Sequence, residues 1–288
     1  MKLADKWSDY SVIATGDGYK LERWGEVILL RPDPQVIWRS STDMKKYPGL
    51  KAEYIRSETG GGGWRYYGKM PQEWVIGYGD LKFKVKPMGF KHTGLFPEQA
   101  ANWEVITDLI KKANRPINVL NLFAYTGGAT VACLSAGASV CHVDAAKGMV
   151  ERAGENVRLS GLEGKPVRFI VDDCVKFVKR EIRRERKYDA IIMDPPSYGR
   201  GPNGETWKIE NELFDFVKLC VEVLSDDPLF FLINSYTTGL QPAVLENILK
   251  LALKGRGGRV EAYEVGLPTE EGIALPCGAG GMFVNDRE

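Results

Sequence analysis

The run INVLNLFAYTGGATVACLSAGASVCHVD, residues 117–144, decides the fold. Ile117 to Phe123 is a near-continuous apolar stretch of strand length, Gly128 to Ala136 has a helical pattern, and Ala138 to Asp144 is a second apolar strand. Strands apolar on both faces that alternate with helices belong to a parallel sheet covered on both sides. Downstream the alternation continues: Ala146 to Ser160 reads as helix, Val167 to Val171 as strand, Cys174 to Arg186 as helix and Tyr188 to Met193 as strand. Leu229 to Asn234 supplies a fifth strand and Pro242 to Lys254 a helix, and the stretches 260–265 and 273–284 complete the sheet. The expected fold class is therefore α/β, a Rossmann-like sheet that is mostly parallel with helices on both faces.

Upstream the composition changes. Trp7, Trp24, Trp38, Trp64 and Trp74 fall in the first 85 residues, leaving Trp103 and Trp207 for the rest. Short strand-like runs (GEVILL, QVIWR, WRYYG, EWVIGY, LKFKVK) alternate there with turn residues. This predicts a small β-rich N-terminal domain over 1–88 and the α/β domain over 89–288. The tryptophans read first as the core of the small domain, with a base-stacking platform as the alternative.

Lys plus Arg number 39 against 38 Asp plus Glu, a formal charge of +1, so any basic surface for a polyanion must be local. The five cysteines are odd in number and scattered, which argues against a disulfide framework. With two histidines in the chain, no metal site is expected. The start MKLADKWSDY has no basic region followed by an apolar core, and no run of about 18 apolar residues occurs, so the expected location is cytoplasmic and away from membranes.

In an open parallel sheet, ligands bind beyond the carboxyl ends of the strands. After the first strand comes NLFAYTGGAT, Asn121 to Thr130, whose Gly127 and Gly128 allow a close turn into the helix. It is not G-x-G-x-x-G, which counts against a dinucleotide. The second strand ends in Asp144, placed either to accept from both hydroxyls of a ribose or to cap the following helix. After the third strand stand Asp172, Asp173 and Cys174. An acid here can accept from the exocyclic amine of an adenine, with Asp173 the better placed, or serve as a helix N-cap.

The ordered set TGLFPEQAANW, NLFAYTGGATVACLSAGA, ENVRLSGL and DPPSYGRG resembles the class I S-adenosylmethionine-dependent methyltransferases, and within them the ribosomal RNA large-subunit methyltransferase I-like family, over about residues 90–240. The resemblance implies S-adenosylmethionine as cofactor, held by Phe96, Gln99, Asn121, Phe123, Ala124, Tyr125, Thr126, Gly127, Asp144, Ala145, Asp172, Asp173, Cys174 and Asp194. It also implies an RNA substrate, rRNA in particular; a homodimer is left open. Two departures stand out. Ala100 and Ala101 occupy the place of an arginine in the family pattern, and the PUA-type RNA-binding domain of many relatives is not recognisable in residues 1–85.

In this family's relatives that modify exocyclic amines, an acid before Pro-Pro and an aromatic holds the amine, and the aromatic stacks on the base. That implies roles for Asp194, Pro195, Pro196 and Tyr198 in catalysis, and for Tyr198 and Arg200 in substrate binding. Here Ser197 takes the fourth position and Tyr198 comes one residue late, a form shared with relatives that methylate carbon 5 of cytosine. Such chemistry needs a thiolate nucleophile, and the loop after the fifth strand carries Asn234, Ser235 and Tyr236 instead of cysteine. Nitrogen is therefore the expected acceptor, with Cys277 as the remaining thiol to weigh. PNGETW, residues 202–207, is expected to be a mobile lead into the next helix. The alternatives are a protein or small-molecule methyltransferase, or a non-catalytic nucleotide- or RNA-binding protein on the same fold.

Overall fold

In the computed structural model, which describes residues 1–57, 61–200 and 206–285, the strand-like runs divide between two units that do not follow a single cut in the chain. One unit, β-rich, takes in Lys2–Ala101 together with Gly266–Cys277. The other holds Asn102–Val265 and Gly278–Glu288.

The β-rich unit begins with β1 (Lys2–Leu3) and contains a sheet of β2 (Tyr10–Gly16), β3 (Tyr19–Trp24), β4 (Val27–Pro32), β5 (Leu50–Arg56) and β6 (Gly62–Tyr66), paired in that order. The β2–β3 hairpin turns on Asp17 and Gly18, both left-handed (φ 52° and 82°), the requirement of a two-residue turn that matches strand twist. A separate hairpin joins β7 (Trp74–Tyr78) and β8 (Leu81–Val85). Trp24 is fully buried, as a core tryptophan should be. QVIWR is not a strand: Asp33 and Pro34 turn the chain, and Val36 and Trp38 spend their carbonyls on Gly18 and Asp17 N–H instead of a ladder. Apolar alternation survives there, with Val36 buried and Ile37 exposed, but the pairing partner is a turn.

The α/β unit follows the sequence expectation closely. After α1 (Ala100–Lys112) come β9 (Asn118–Leu122), α2 (Gly128–Ser135), β10 (Ser139–Asp144), α3 (Lys147–Leu159), β11 (Val167–Val171), α4 (Cys174–Arg183) and β12 (Ala190–Met193). A short hairpin of β13 (Tyr198–Arg200) and β14 (Thr206–Lys208) leads into α5 (Ile209–Val221), followed by β15 (Phe230–Ser235), α6 (Pro242–Ala252), β16 (Arg259–Pro268) and β17 (Ala274–Val284). Helix α4 stops at Arg183, short of the expected Arg186, because Glu185 is left-handed (φ 54°) and the N–H groups of Arg184 to Arg186 turn back onto the last carbonyls.

In the eight-stranded sheet β16-β17-β15-β12-β9-β10-β11 follow one another in that order, with β15, β12, β9, β10 and β11 parallel and β17 antiparallel to β15. One face carries Leu120, Leu122, Ile191, Met193, Phe231 and Ile233, which pack with Phe177 of α4, Phe216 of α5 and Leu245 of α6 into a continuous core. From β9 the chain first builds β10 and β11 on one side, then β12 and β15 on the other. The strand order therefore reverses at β9, and the crevice for a ligand lies at the carboxyl ends of β9 and its neighbours.

Candidate active site

Parallel register sets the strand ends side by side: Leu122 pairs with Val143 and with Met193, and Asp144 with Val171. The residues just beyond them, Phe123, Asp144, Asp172 and Asp194, thus meet along one edge of the sheet. Backbone bonds extend the order past the strands, with Ala124 N–H donating to Val143 O (3.1 Å), Asp172 N–H to Asp144 O (3.0 Å) and Asp194 N–H to Leu122 O (3.4 Å).

The loop Phe123–Gly127 is held at every residue. Phe123 N–H donates to Cys174 Sγ (3.3 Å), Tyr125 N–H to Asp144 Oδ2 (2.9 Å) and Gly127 N–H to Ala124 O (3.0 Å), while Asn156 Nδ2 donates to Thr126 O (2.9 Å). These bonds hold Phe123 and Tyr125 in the left-handed region (φ 52° and 51°), which non-glycine residues occupy only when their surroundings impose it. Glycine at 127 and 128 answers to packing. A Cβ on Gly127, itself at φ 81°, would lie 2.8 Å from Ala153 Cβ of α3, and one on Gly128 would lie 2.6 Å from the Trp103 ring of α1. Asn121 is buried, its amide donating to Thr130 Oγ1 (2.9 Å).

Asp144 is half-buried and accepts from Tyr125 N–H through Oδ2 and from Ala146 N–H through Oδ1 (2.8 Å). The Ala146 bond is the local capping role; the Tyr125 bond ties the same carboxylate to the strained loop. A carboxylate has about four acceptor positions, so two bonds fix its plane and leave capacity for two donors of a ligand. Ala145 beside it is exposed. Asp173 is the N-cap of α4, accepting from Lys176 N–H (2.8 Å), and Asp172 pairs with Arg180. Cys174 is buried, and burial pushes its thiol up above the ordinary range.

On the other side of β9, Asp194 is half-buried, Pro195 buried and Pro196 exposed. Trp207 Nε1 donates to Pro196 O (2.7 Å), and Ser197 Oγ lies 2.6 Å from Thr237 Oγ1 beyond β15. Tyr198, in β13, is 49% exposed. The side chain of Arg200 and residues 201–205, most of PNGETW, lie outside the described residues, but Thr206 and Trp207 are strand residues rather than a mobile lead. Phe96 is half-buried, and with Gln99 it belongs to the β-rich unit, where Pro97–Gln99 forms a single 3-10 turn.

Two features escape a reading of the strand ends. Trp207 is one; its ring lies 5.6 Å from Phe123 and 5.8 Å from Phe216, joining the loop after β9 to the Asp-Pro-Pro turn. A tryptophan in an otherwise polar segment was its trace in the sequence. The other is His142, fully buried under the loop with Nδ1 2.9 Å from Thr130 Oγ1. Thr130 Oγ1 also accepts from Asn121, so Asn121, Thr130 and His142 form one buried hydrogen-bonded chain beneath the loop. Burial lowers the pKa of His142 to about 4.

What this edge offers is a half-buried, backbone-oriented carboxylate for a polyol, a pinned loop against it, and an acid followed by a rigid carbonyl-bearing turn across the crevice. The donor set suits a nucleoside bearing ribose hydroxyls, and it lacks the glycine pattern of a pyrophosphate cradle.

Comparison with known proteins gives the family. The profile of the S-adenosylmethionine-dependent methyltransferase family matches residues 56–228. The crystal structure of a SAM-dependent methyltransferase from Agrobacterium tumefaciens superposes with a TM-score of 0.91 at 33% identity, covering 96% of this chain and 91% of that one. Ribosomal RNA large subunit methyltransferase K/L of Shewanella frigidimarina is 34% identical over 146 residues, which is 50% of this chain and 20% of that protein. A putative ribosomal RNA large subunit methyltransferase of Methanocaldococcus jannaschii is 35% identical over 150 residues, 52% of this chain and 36% of that protein. The chain thus spans well under half the length of these two relatives. Among the described residues, no helix is long and apolar enough to cross a membrane.

Proposed function

Because this chain belongs to the S-adenosylmethionine-dependent methyltransferase family, we propose that it methylates a base in RNA, above all rRNA, in the cytoplasm, with a nitrogen as acceptor and with residues 1–88 helping to choose the substrate. The observation that carries this reading is the placement of a backbone-pinned Asp144 and the Asp194–Pro195–Pro196 turn at the carboxyl ends of β10 and β12, the two strands that flank β9. When bound, S-adenosylmethionine would supply an electrophilic methyl group on a sulfonium, whose sulfur leaves as a neutral thioether as the new bond to the methyl forms. The chain's task is then to hold and aim.

In this proposal Asp144 accepts from the ribose hydroxyls, and the loop Phe123–Gly127 lies along the cofactor with Asn121 supporting it from below. Ala145 and Asp172 to Cys174 border the adenine. Asp173 keeps its N-cap bond while offering its second oxygen. Asp194 and the Pro195 carbonyl accept the N–H groups of an exocyclic amine, which presents the nitrogen lone pair; both prolines fix the turn and Trp207 restrains it. Tyr198 stacks on the base and Arg200 meets phosphate.

Nitrogen is favoured over cytosine carbon 5 because the loop after β15 holds Asn234, Ser235 and Tyr236, and Cys174 is buried with its thiol pushed up. Cys277 belongs to the β-rich unit, and burial, then the Glu98 carboxylate, pushes its thiol well up too. RNA is favoured because rRNA methyltransferases are similar to this chain over half its length. The test is incubation with methyl-labelled cofactor and, in parallel, unmodified rRNA, total RNA, protein extract and metabolites, followed by location of the label. Label on an amine of rRNA is expected; label in protein or metabolites alone overturns the RNA reading, and label on a cytosine carbon overturns the choice of acceptor.

A further inference from the structure

We propose that the turn carrying Phe90 and the edge strand β6 together form a docking face for single-stranded RNA on the β-rich unit, an inference that rests on the RNA reading above. Phe90 and Lys91 are consecutive left-handed residues (φ 54° and 67°), and Phe90 is 73% exposed. A chain that adopts strained backbone and ends with a large apolar ring in water gains nothing for its own stability from that residue.

The turn is not loose. Trp64 Nε1 donates to Met88 O (2.7 Å), Arg31 Nη1 to Lys91 O (3.0 Å), Lys91 Nζ to Pro32 O (2.9 Å) and Met88 N–H to His92 O (2.8 Å). Phe90 is therefore displayed from a fixed frame, and pre-organised aromatic area binds at low entropic cost.

What surrounds the ring matches one class of partner. The turn packs on β6, the last strand of its sheet. Tyr54 pairs with Trp64 and Ala52 with Tyr66, so Trp64 and Tyr66 share a face; Tyr66 is 55% exposed, and exposed Arg56 lies on the same face of β5. Burial, then Lys20, lowers the pKa of Lys91 to about 8; Asp33 opposes this, and Arg31 and Arg56 add smaller lowering effects.

The charge of this region differs from that of the chain. Between residues 43 and 70, Lys45 pairs with Glu53 (3.4 Å) and Lys46 with Asp43 (3.3 Å), and beyond those pairs stand Lys51, Arg56, Arg65 and Lys69 against Glu58, while the whole chain carries +1. Aromatic rings among cations at a sheet edge fit stacked bases with their phosphates, the recognition mode of single strands.

The test uses the full chain and an unmodified large-subunit rRNA transcript. The combined variant Arg56→Ala, Tyr66→Ala, Phe90→Ala is expected to raise KM for the transcript at least about tenfold, with kcat and cofactor affinity unchanged, because stacking and phosphate contacts serve binding alone. Phe90→Trp in the Arg56, Tyr66 wild-type background is expected to match wild type, and Arg56→Ala alone to reduce the salt slope of RNA binding by about one. If wild type methylates the transcript and the combined variant does so with the same KM, the docking face is wrong and the RNA reading stands. If the effect falls on kcat alone, the residues are structural and the face is wrong. If wild type neither binds nor methylates RNA while it methylates protein, the RNA reading falls and the face with it.

Discussion

At the scale of single residues, the site depends on which atoms are already committed. Asp144 spends one oxygen on Tyr125 N–H and the other on Ala146 N–H, so an amide in its place would set a donor against a donor. Asp144→Asn is expected to weaken S-adenosylmethionine binding roughly ten- to a hundred-fold by calorimetric titration, the worth of about 1.5–3 kcal/mol in charge-assisted bonds. Unchanged affinity would remove Asp144 from the site. His142 is committed differently: fully buried, it stays neutral, and its pKa of about 4 lies below the 6.5 of an unfolded histidine. Between those values the unfolded chain binds a proton that the folded chain does not, so stability rises with pH. The contribution is complete above about pH 6.5 and is lost as pH falls through 4, about 3 kcal/mol in all. His92, also lowered to about 4, by burial and then by Arg31, Lys91 and Lys20, adds a slope of the same sign. Urea unfolding at pH 7 and pH 4.5 should therefore show a smaller difference in His142→Asn than in wild type; equal differences would mean His142 titrates normally.

At the scale of elements, the β13–β14 hairpin sets the acceptor turn. Register places Gly199 opposite Trp207, so the indole reaches back to Pro196 O while its ring stays against Phe123 and Phe216. Trp207→Phe keeps a ring and loses one hydrogen bond, worth about 0.5–1.5 kcal/mol, and should lower kcat about two- to tenfold with cofactor affinity unchanged in steady-state and binding assays. Trp207→Ala removes the ring from Phe123 as well and should weaken cofactor binding too. How legible these elements are in sequence follows from where their burial comes from. The parallel strands β9, β10, β11, β12 and β15 are readable because both faces of each are covered, which leaves uninterrupted apolar runs. The acids after them are readable because parallel strands place all their carboxyl ends on one edge. β2 and β5 are not: β2 shifts register between Val12 and Ala14, and β5 buries Glu53, which Tyr67 OH (2.6 Å) and Lys45 (3.4 Å) satisfy from elsewhere in the unit. The grip of Trp207 is likewise invisible, since it exists only once Tyr198–Arg200 pairs with Thr206–Lys208.

At the scale of the whole molecule, sequence proximity and structural membership separate. Residues 1–88 form one division of function in the proposal above, but the compact unit they belong to also takes in residues 89–101 and Gly266–Cys277. Those later residues make many of its bonds: Ala4 N–H donates to Gly266 O (3.1 Å), Glu270 N–H to Val12 O (2.9 Å), Ser11 Oγ to Glu270 (2.7 Å), and Thr15 N–H and Oγ1 to Glu271 (2.7 and 2.9 Å). Trp7 Nε1 donates to Pro97 O (2.9 Å) in the same way. Inside the unit, buried Glu22 accepts two bonds from Arg31 (2.6 and 2.7 Å) and one from Tyr10 OH (2.7 Å), and Arg31 also donates to Lys91 O (3.0 Å). An ion pair is tolerated in a core only while its geometry and surrounding bonds are complete. A fragment ending at residue 88 loses the Lys91 carbonyl and every bond to 266–277, and so exposes both the pair and the edge of β2. We therefore expect the 1–88 fragment to unfold without a cooperative transition in urea, whereas a chain in which Lys2–Ala101 is fused by a short linker to Gly266–Cys277 should regain one. A sharp two-state transition in the 1–88 fragment alone would show that these residues are a self-sufficient folding domain, and that the segment 266–277 decorates it rather than completes it.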